Sequence, residues 1–156
     1  MIRLAVPEDF TSIMSIYAYA RSFMQETGNP NQWGNHFPPE ELIHNRIRDK
    51  QLFVLEENGA FAFIIGEDPT YLQIDDGSWL SDAPYGTIHQ VASDGTIHGF
   101  FSQIVDYCWA QIPHLRVDTH ADNQIMQHLI QKNGFEQRGI IYVLNHSPRI
   151  AFERVK

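Results

Sequence analysis

The chain has 156 residues, 43% of them hydrophobic and 19% charged, which suffices for one globular domain over residues 1–156 and is too apolar for a disordered chain. Its net charge of −8 argues against nucleic acid as a partner, since such a surface must be basic. No apolar run approaches the roughly 20 residues of a membrane helix, the opening MIRLAVPEDF has no signal-peptide core, and the one cysteine, Cys108, cannot close an internal disulfide. A cytoplasmic protein without a membrane partner is expected, with Cys108 a buried helix residue.

In chain order, Ile2 to Val6 reads as a short strand. Pro7 starts a helix with Glu8 and Asp9 in its first turn; Phe10, Ile13, Met14, Tyr17 and Met24 mark its inner face, and it stops near Gly28. Asn29 to Pro39 is a loop carrying Trp33 and Phe37. Pro38 opens a second helix that runs to Asp49, with Leu42, Ile43 and Ile47 inward. Gln51 to Glu56 and Ala60 to Gly66 are two strands. Asn58-Gly59 between them favours a type I′ hairpin, because that turn needs positive φ at both central positions. Tyr71 to Ile74 is a candidate short edge strand, and Asp75 to Pro84 is a polar loop carrying Trp79.

Tyr85 to Ser102, YGTIHQVASDGTIHGFFS, organises the rest. Ile88, Val91 and Ala92 give strand character, Ser93-Asp94-Gly95 is turn chemistry, and Phe101, Ile104, Val105, Cys108 and Ile112 recur at helical spacing. A strand running through a glycine loop into a helix N-terminus makes an anion site, because the first amides of the helix lack partners and the dipole adds positive charge. Gly99 lets a phosphate approach the backbone, and Ser102 offers a hydroxyl. Pro113 stops this helix, and Leu115 to Thr119 is another strand. Ala121 or Asp122 caps a further helix with Met126, Leu129 and Ile130 inward and Lys132 in its last turn; Gly134 ends it, with Phe135 as the hydrophobic contact of the cap. Gly139 to Leu144 and Ile150 to Val155 are the final strands. The order β-α-α-β-β-β-α-β-α-β-β places an antiparallel meander before a β-α-β unit. It predicts a mixed α/β fold with a mostly antiparallel, twisted sheet of six to seven strands and helices on both faces.

Two stretches resemble signatures of the GCN5-related N-acetyltransferase (GNAT) superfamily, in its small bacterial form. Thr96-Ile97-His98-Gly99-Phe100-Phe101 is similar to the family's acetyl-CoA motif Gln/Arg-x-x-Gly-x-Gly/Ala, matching at Gly99 and departing at Thr96 and Phe101. Asn123 to Phe135, NQIMQHLIQKNGF, resembles Asn-x-x-Ala-x-x-Leu-Tyr-x-Lys-x-Gly-Phe at Asn123, Leu129, Lys132, Gly134 and Phe135, with Met126 and Ile130 in place of alanine and tyrosine. The element order is also the family's, and Gln32-Trp33-Gly34 is similar to a loop that lines the acceptor site in small bacterial members.

The resemblance implies acetyl-CoA as cosubstrate and an N-acetyltransferase acting by direct attack of a primary amine in a ternary complex, with the acceptor left open between a small molecule (an amino acid, an aminoglycoside, a polyamine) and a peptide or protein N-terminus. The pantetheine arm would pair with backbone near Val91 and Ser93. The pyrophosphate would sit on the amides of Ile97, His98, Gly99, Phe100, Phe101 and Ser102, beside Thr96, and Asn123 would help to fix the cofactor. The family's sheet splays between this strand and the next, and the thioester sits in the opening. A family tyrosine usually serves as the acid, and Ile130 replaces it here. Substitutes for acid or base are His89, His120, Tyr142 and Glu67, of which histidine suits a base near neutral pH. Trp33, Phe37, Trp79 and Tyr85 are candidates to stack on an acceptor or embrace a cation, and the acidic surface favours a cationic acceptor by steering.

Two other readings stand beside this one. The departures at Thr96, Phe101 and Ile130 fit a non-catalytic GNAT-fold protein that binds a CoA species as sensor or scaffold, with Phe101 crowding the pyrophosphate unless its ring points into the core. The alternation of Asp118, His120 and Asp122 would place three metal-type ligands on one face of an extended strand, but Asp122 suits a helix cap better and no metal is expected. The family resemblance leaves a homodimer open.

Overall fold

The computed structural model describes residues 1–156. Seven strands form one sheet in the order β1-β2-β3-β4-β5-β7-β6. They are β1 (Ile2–Leu4), β2 (Leu52–Leu55), β3 (Gly59–Ile65), β4 (Gly86–Ser93), β5 (His114–Thr119), β6 (Glu136–Tyr142) and β7 (Pro148–Val155). Only β4 and β5 pair in parallel; every other pairing is antiparallel. The four helices are α1 (Phe10–Glu26), α2 (Glu40–Arg48), α3 (Phe100–Gln111) and α4 (Gln124–Lys132). The expected mixed α/β architecture and element order are those observed.

Period-two alternation divides the apolar side chains between two cores. On one face, Ala60 and Ala62 of β3 pack with Ile13, Tyr17, Ile43 and Ile47 of α1 and α2. On the other, Phe61 and Phe63 pack with Phe101, Ile104 and Cys108 of α3, and with Ile130 of α4. Phe61, Ile104, Leu115 and Phe152 are fully buried, each worth about 1.5–3 kcal/mol of transfer free energy. Cys108 is the buried helix residue expected, and burial pushes its thiol pKa up.

Local details differ from the sequence reading for identifiable reasons. The β2–β3 turn is Glu56 to Asn58, one residue earlier than a type I′ turn on Asn58-Gly59: Gly59 already pairs with Leu55, and Glu56 carries the positive φ of 54°. Asn58 instead serves a neighbouring loop, donating from Nδ2 to Asp94 Oδ2 at 2.8 Å. Tyr71 to Ile74 is not a strand. Asp68 caps a 3₁₀ turn over Pro69–Tyr71, its Oδ1 accepting from the Thr70 amide at 2.9 Å. The segment then crosses β6 through a single bridge, Asp75 with Ile140, and Gly77 is needed there because a Cβ would lie 1.8 Å from the Arg138 carbonyl oxygen. The cap of α4 is Asn123, whose Oδ1 accepts from the Met126 amide at 3.0 Å, rather than Ala121 or Asp122. Strand β6 starts directly after Phe135 and ends at Tyr142, displaced toward the N-terminus from the expected Gly139 to Leu144.

Strands β4 and β5 pair only through Gly86 with Leu115 and Thr87 with Arg116, and then part. Beyond Thr87 the facing edges of both strands carry unpaired backbone groups. A bulge sits at the same level, where the β3–β4 register shifts between Ala60 and Ala62 and Gln90 takes a left-handed φ of 47°. The Tyr17 hydroxyl donates to the Gln90 carbonyl at 2.8 Å and fixes the bulge from α1.

Below the point of divergence lies a buried ionic cluster. Glu153 of β7 stands opposite Arg116 of β5 in register. Its carboxylate accepts from Arg116 Nε at 3.1 Å and the Leu80 amide at 2.6 Å, and bonds His114 Nε2 at 2.6 Å. The Arg116 guanidinium lies between the Trp79 and Tyr85 rings, 4.0 Å from each centroid.

Candidate functional site

A cavity of about 750 Å³, within the range of ligand pockets, fills the opening between β4 and β5. Its floor is Ile88 to Val91 and Val117 to Thr119; its walls come from the α1–α2 loop, α2, the turn after β3 and the β6–β7 hairpin. The α1–α2 loop is held by Gln32, whose Oε1 accepts from Asn29 Nδ2 at 2.9 Å and Asn123 Nδ2 at 3.1 Å. Trp33 and Phe37 from this loop line the cavity, with Trp33 edge-on to Tyr17 at 5.7 Å.

His89 faces the cavity from β4, and its Nε2 lies 2.8 Å from Asp68 Oδ2. Burial raises the Asp68 carboxyl, but the bond and charge of His89 and the Thr70 hydroxyl and amide outweigh it, holding the pKa at about 2. An ionised Asp68 only accepts, so His89 Nε2 carries the donated proton, and it is Nδ1 that would take up or release a proton on the cavity side. Across the floor, Asp118 Oδ2 accepts from the Tyr71 hydroxyl at 2.6 Å. Burial and the adjoining Asp118 carboxylate push the Tyr71 phenol well above its ordinary range. Arg46 and Arg149 complete the charged lining; burial lowers both guanidinium pKa values, opposed by Asp68 for Arg46 and by Asp118 for Arg149.

At the far end of β4, Gly99 adopts φ 66° and caps α3, with nothing within 4 Å of where a Cβ would stand. The amides of Ile97, His98, Gly99, Phe100, Phe101 and Ser102 donate to no protein acceptor, and the loop side of this helix end is open for an anion. The Phe101 ring is 1% exposed and packed in the core, so it does not crowd that space. Thr96 turns away, its amide and hydroxyl both donating to Asp94 Oδ1, and it shapes the loop instead of facing a ligand. Ser93 Oγ accepts from the Gly95 amide at 3.1 Å, while the Ser93 backbone pairs with Gly59.

The other nominated residues lie elsewhere. Glu67 is exposed outside the cavity, and Asp68 beside it points in. His120 lies beyond the end of β5 and outside the lining, its Nδ1 accepting from the Asp122 amide at 3.0 Å. Tyr142 is 39% exposed on β6, where the nearby Asp75 carboxylate raises its pKa. Trp79 and Tyr85 embrace the chain's own Arg116 rather than line the cavity. Asn123 lines it but already bonds Met126 and Gln32. Asp118 is engaged by Tyr71, and no three His, Cys, Asp or Glu side chains converge on one point. Sequence reasoning missed Asp68, Arg46 and Arg149 as site residues and weighed Asp118 only as a metal-type ligand. The Asp68-Pro69-Thr70 capping pattern was the one available signal, since it turns the chain inward at Asp68.

No family model and no curated protein matches the sequence. Solved structures do. A GNAT-family acetyltransferase from Streptococcus agalactiae superposes with a TM-score of 0.88 at 27% identity, covering 100% of this chain and 95% of that one. One from Listeria monocytogenes gives 0.70 at 17% identity, covering 99% and 93%. AAC(6')-Ib, in complex with ribostamycin and coenzyme A, gives 0.63 at 16%, covering 100% and 93%. A parted parallel strand pair, a glycine-capped helix with open amides and full-length superposition agree: this chain is a member of the GNAT superfamily of acetyltransferases.

Proposed function

We propose that the protein is an acetyl-CoA-dependent N-acetyltransferase acting on a primary amine by direct attack in a ternary complex. The observation that carries this reading is the parting of β4 from β5 next to a helix whose opening amides have no acceptor. Acetyl-CoA supplies an acetyl group activated as a thioester. The amides of Ile97 to Ser102 hold the pyrophosphate, and the free edge of β4 at Val91 pairs with the extended pantetheine arm. Backbone N–H groups on that edge also stabilise the oxyanion that forms as the amine attacks. His89 Nδ1 removes the proton from the attacking ammonium, with Asp68 fixing the tautomer and supporting the imidazolium. Ile130, at the usual tyrosine position, is fully buried and takes no part. The complex of AAC(6')-Ib with coenzyme A supports the cofactor class.

The test is calorimetric titration with acetyl-CoA of wild type, Gly99→Asn and Gly99→Asp. Both substitutions tolerate the left-handed backbone and are nearly isosteric, so they differ in charge alone. At an effective dielectric of about 20 and a separation on the order of 5 Å, each phosphate charge facing Asp costs about 3 kcal/mol. Gly99→Asp should therefore bind at least about 100-fold more weakly than Gly99→Asn, which stays near wild type. Equal affinities would remove the pyrophosphate from this loop. Binding without thiol release in an amine screen would favour a non-catalytic CoA-binding protein.

A further inference from the structure

We propose that the acceptor is a small primary amine that also bears a carboxylate, of α-amino acid type, seated on Arg46; this rests on the acetyl-transfer reading and adds the substrate class. The net charge of −8 suggests a polycation, but the cavity does not share the sign of the whole molecule. Its lining sets two guanidiniums, Arg46 and Arg149, against two carboxylates, Asp68 and Asp118.

Most of this charge is already engaged. Asp68 is bonded by His89 and Thr70, and Asp118 by Tyr71. Arg149 donates from Nη1 to Ser147 Oγ and the Pro148 carbonyl and from Nη2 to the Gln32 carbonyl. Arg46 differs. Its Nη1 donates to Gln51 Oε1 at 2.8 Å, but its Nε is sealed from solvent without an acceptor and its Nη2 makes no bond. Nε and Nη2 form the side edge of the guanidinium, which binds a carboxylate through two parallel hydrogen bonds. A buried charged donor without an acceptor is costly, and a ligand carboxylate relieves that cost.

A second unpartnered group has the opposite polarity. Gln90 Oε1 is buried in the same lining without a donor. Both residues line the cavity, and with a turn of each side chain that brings the sealed atom to face it, an unpartnered donor edge and an unpartnered acceptor suit a ligand carrying an anion and an N–H group. In an α-amino acid a single carbon separates them. With the carboxylate on Arg46, the ammonium is drawn to Asp68 and His89, the carboxylate and imidazole that share the lining with it. The ammonium gives one proton through His89 to solvent, its nitrogen then bonds the acetyl carbon as the carbon–sulfur bond breaks, and a second nitrogen proton passes through His89 to the leaving thiolate, leaving the amide and the free thiol.

The test is titration of each of the twenty standard amino acids into the protein saturated with CoA. For any binder it is repeated with the matching amide and the matching amine lacking the carboxylate, and with spermidine. At least one acid should bind about 10-fold or more tightly than its amide and amine. Arg46→Gln should weaken the acid by about 10–100-fold, Arg46→Lys by less, and Gln90→Leu by about 5-fold. All three variants should keep CoA affinity within about 2-fold, which also verifies folding. The proposal is overturned if no acid binds, if amide or spermidine binds as well as the acid, or if Arg46→Gln and Arg46→Lys reduce CoA affinity as much as acid affinity. Thiol release separates the two readings. Acid binding without release keeps this site and removes acetyl transfer; release only with amines lacking a carboxylate keeps acetyl transfer and removes this site.

Discussion

Glu153→Gln should destabilise the fold by about 3 kcal/mol, because removing one partner of a buried ion pair leaves the other charge uncompensated, at a cost of about 3–5 kcal/mol. The Glu153 side chain is 0% exposed and that of Arg116 5%, so water cannot replace the lost charge. The Ser81 carbonyl, accepting from Arg116 Nη2 at 2.7 Å, and the two aromatic faces remain, which places the estimate at the lower end of that range. Urea unfolding reads the effect. With an m-value of about 2 kcal/mol/M, the midpoint should fall by about 1.5 M at unchanged slope. The double replacement Arg116→Met with Glu153→Leu should recover only part of the loss, since it strands no charge but leaves the Leu80 amide, His114 Nε2 and the Ser81 carbonyl without their partners. A loss under about 1 kcal/mol for Glu153→Gln, or no recovery in the double variant, would refute the reasoning.

His89→Gln should lower kcat by about 10²–10⁴-fold with acetyl-CoA affinity unchanged, and steady-state kinetics on any accepted amine reads this directly. A fall below about 5-fold would assign catalysis to positioning alone. Asp68→Asn should cost about 10–100-fold in kcat through loss of the fixed tautomer. Asp68 also predicts an acid limb of stability. Its folded pKa of about 2 lies below the ordinary 3.8, so its contribution is complete above pH 4 and lost as pH falls toward 2. Its size is at most about 2 kcal/mol, and the limb should be missing from acid unfolding of Asp68→Asn.

The sheet and both helix layers were legible in the sequence because their signals are local and periodic. The spacing Phe101, Ile104, Val105, Cys108 gave α3, and the Gly134-Phe135 cap ended α4. The glycine-capped start of α3 was legible because a glycine just ahead of a helical run suits a left-handed cap. The lining of the cavity was not. Asp68 and His89 are 21 residues apart, and Tyr71 and Asp118 are 47 apart. Such pairs are made by strand order, which no residue announces. Trp79 and Tyr85 misled for the same reason: an aromatic pair suited to a cation was visible, but the cation, Arg116, belonged to the chain. The Asn58-Gly59 turn failed because Asn58 is committed to Asp94, a tertiary demand that overrides a local preference.

The ionic cluster has a bearing on how this scaffold can change. Arg116 belongs to the last pair that joins β4 to β5, and Tyr85 and His114 stand one residue before the two strands begin to pair. The vertex of the opening is thus riveted from beneath by a salt-bridged arginine, whereas the mouth is walled by a loop, a helix end and a hairpin. The angle between the strands is set by the interior, independent of what enters. Substitutions among Trp33, Phe37, Arg46 and Leu144 can then redraw the cavity wall while the opening between the strands keeps its width, which makes the rim the part of this molecule free to change shape.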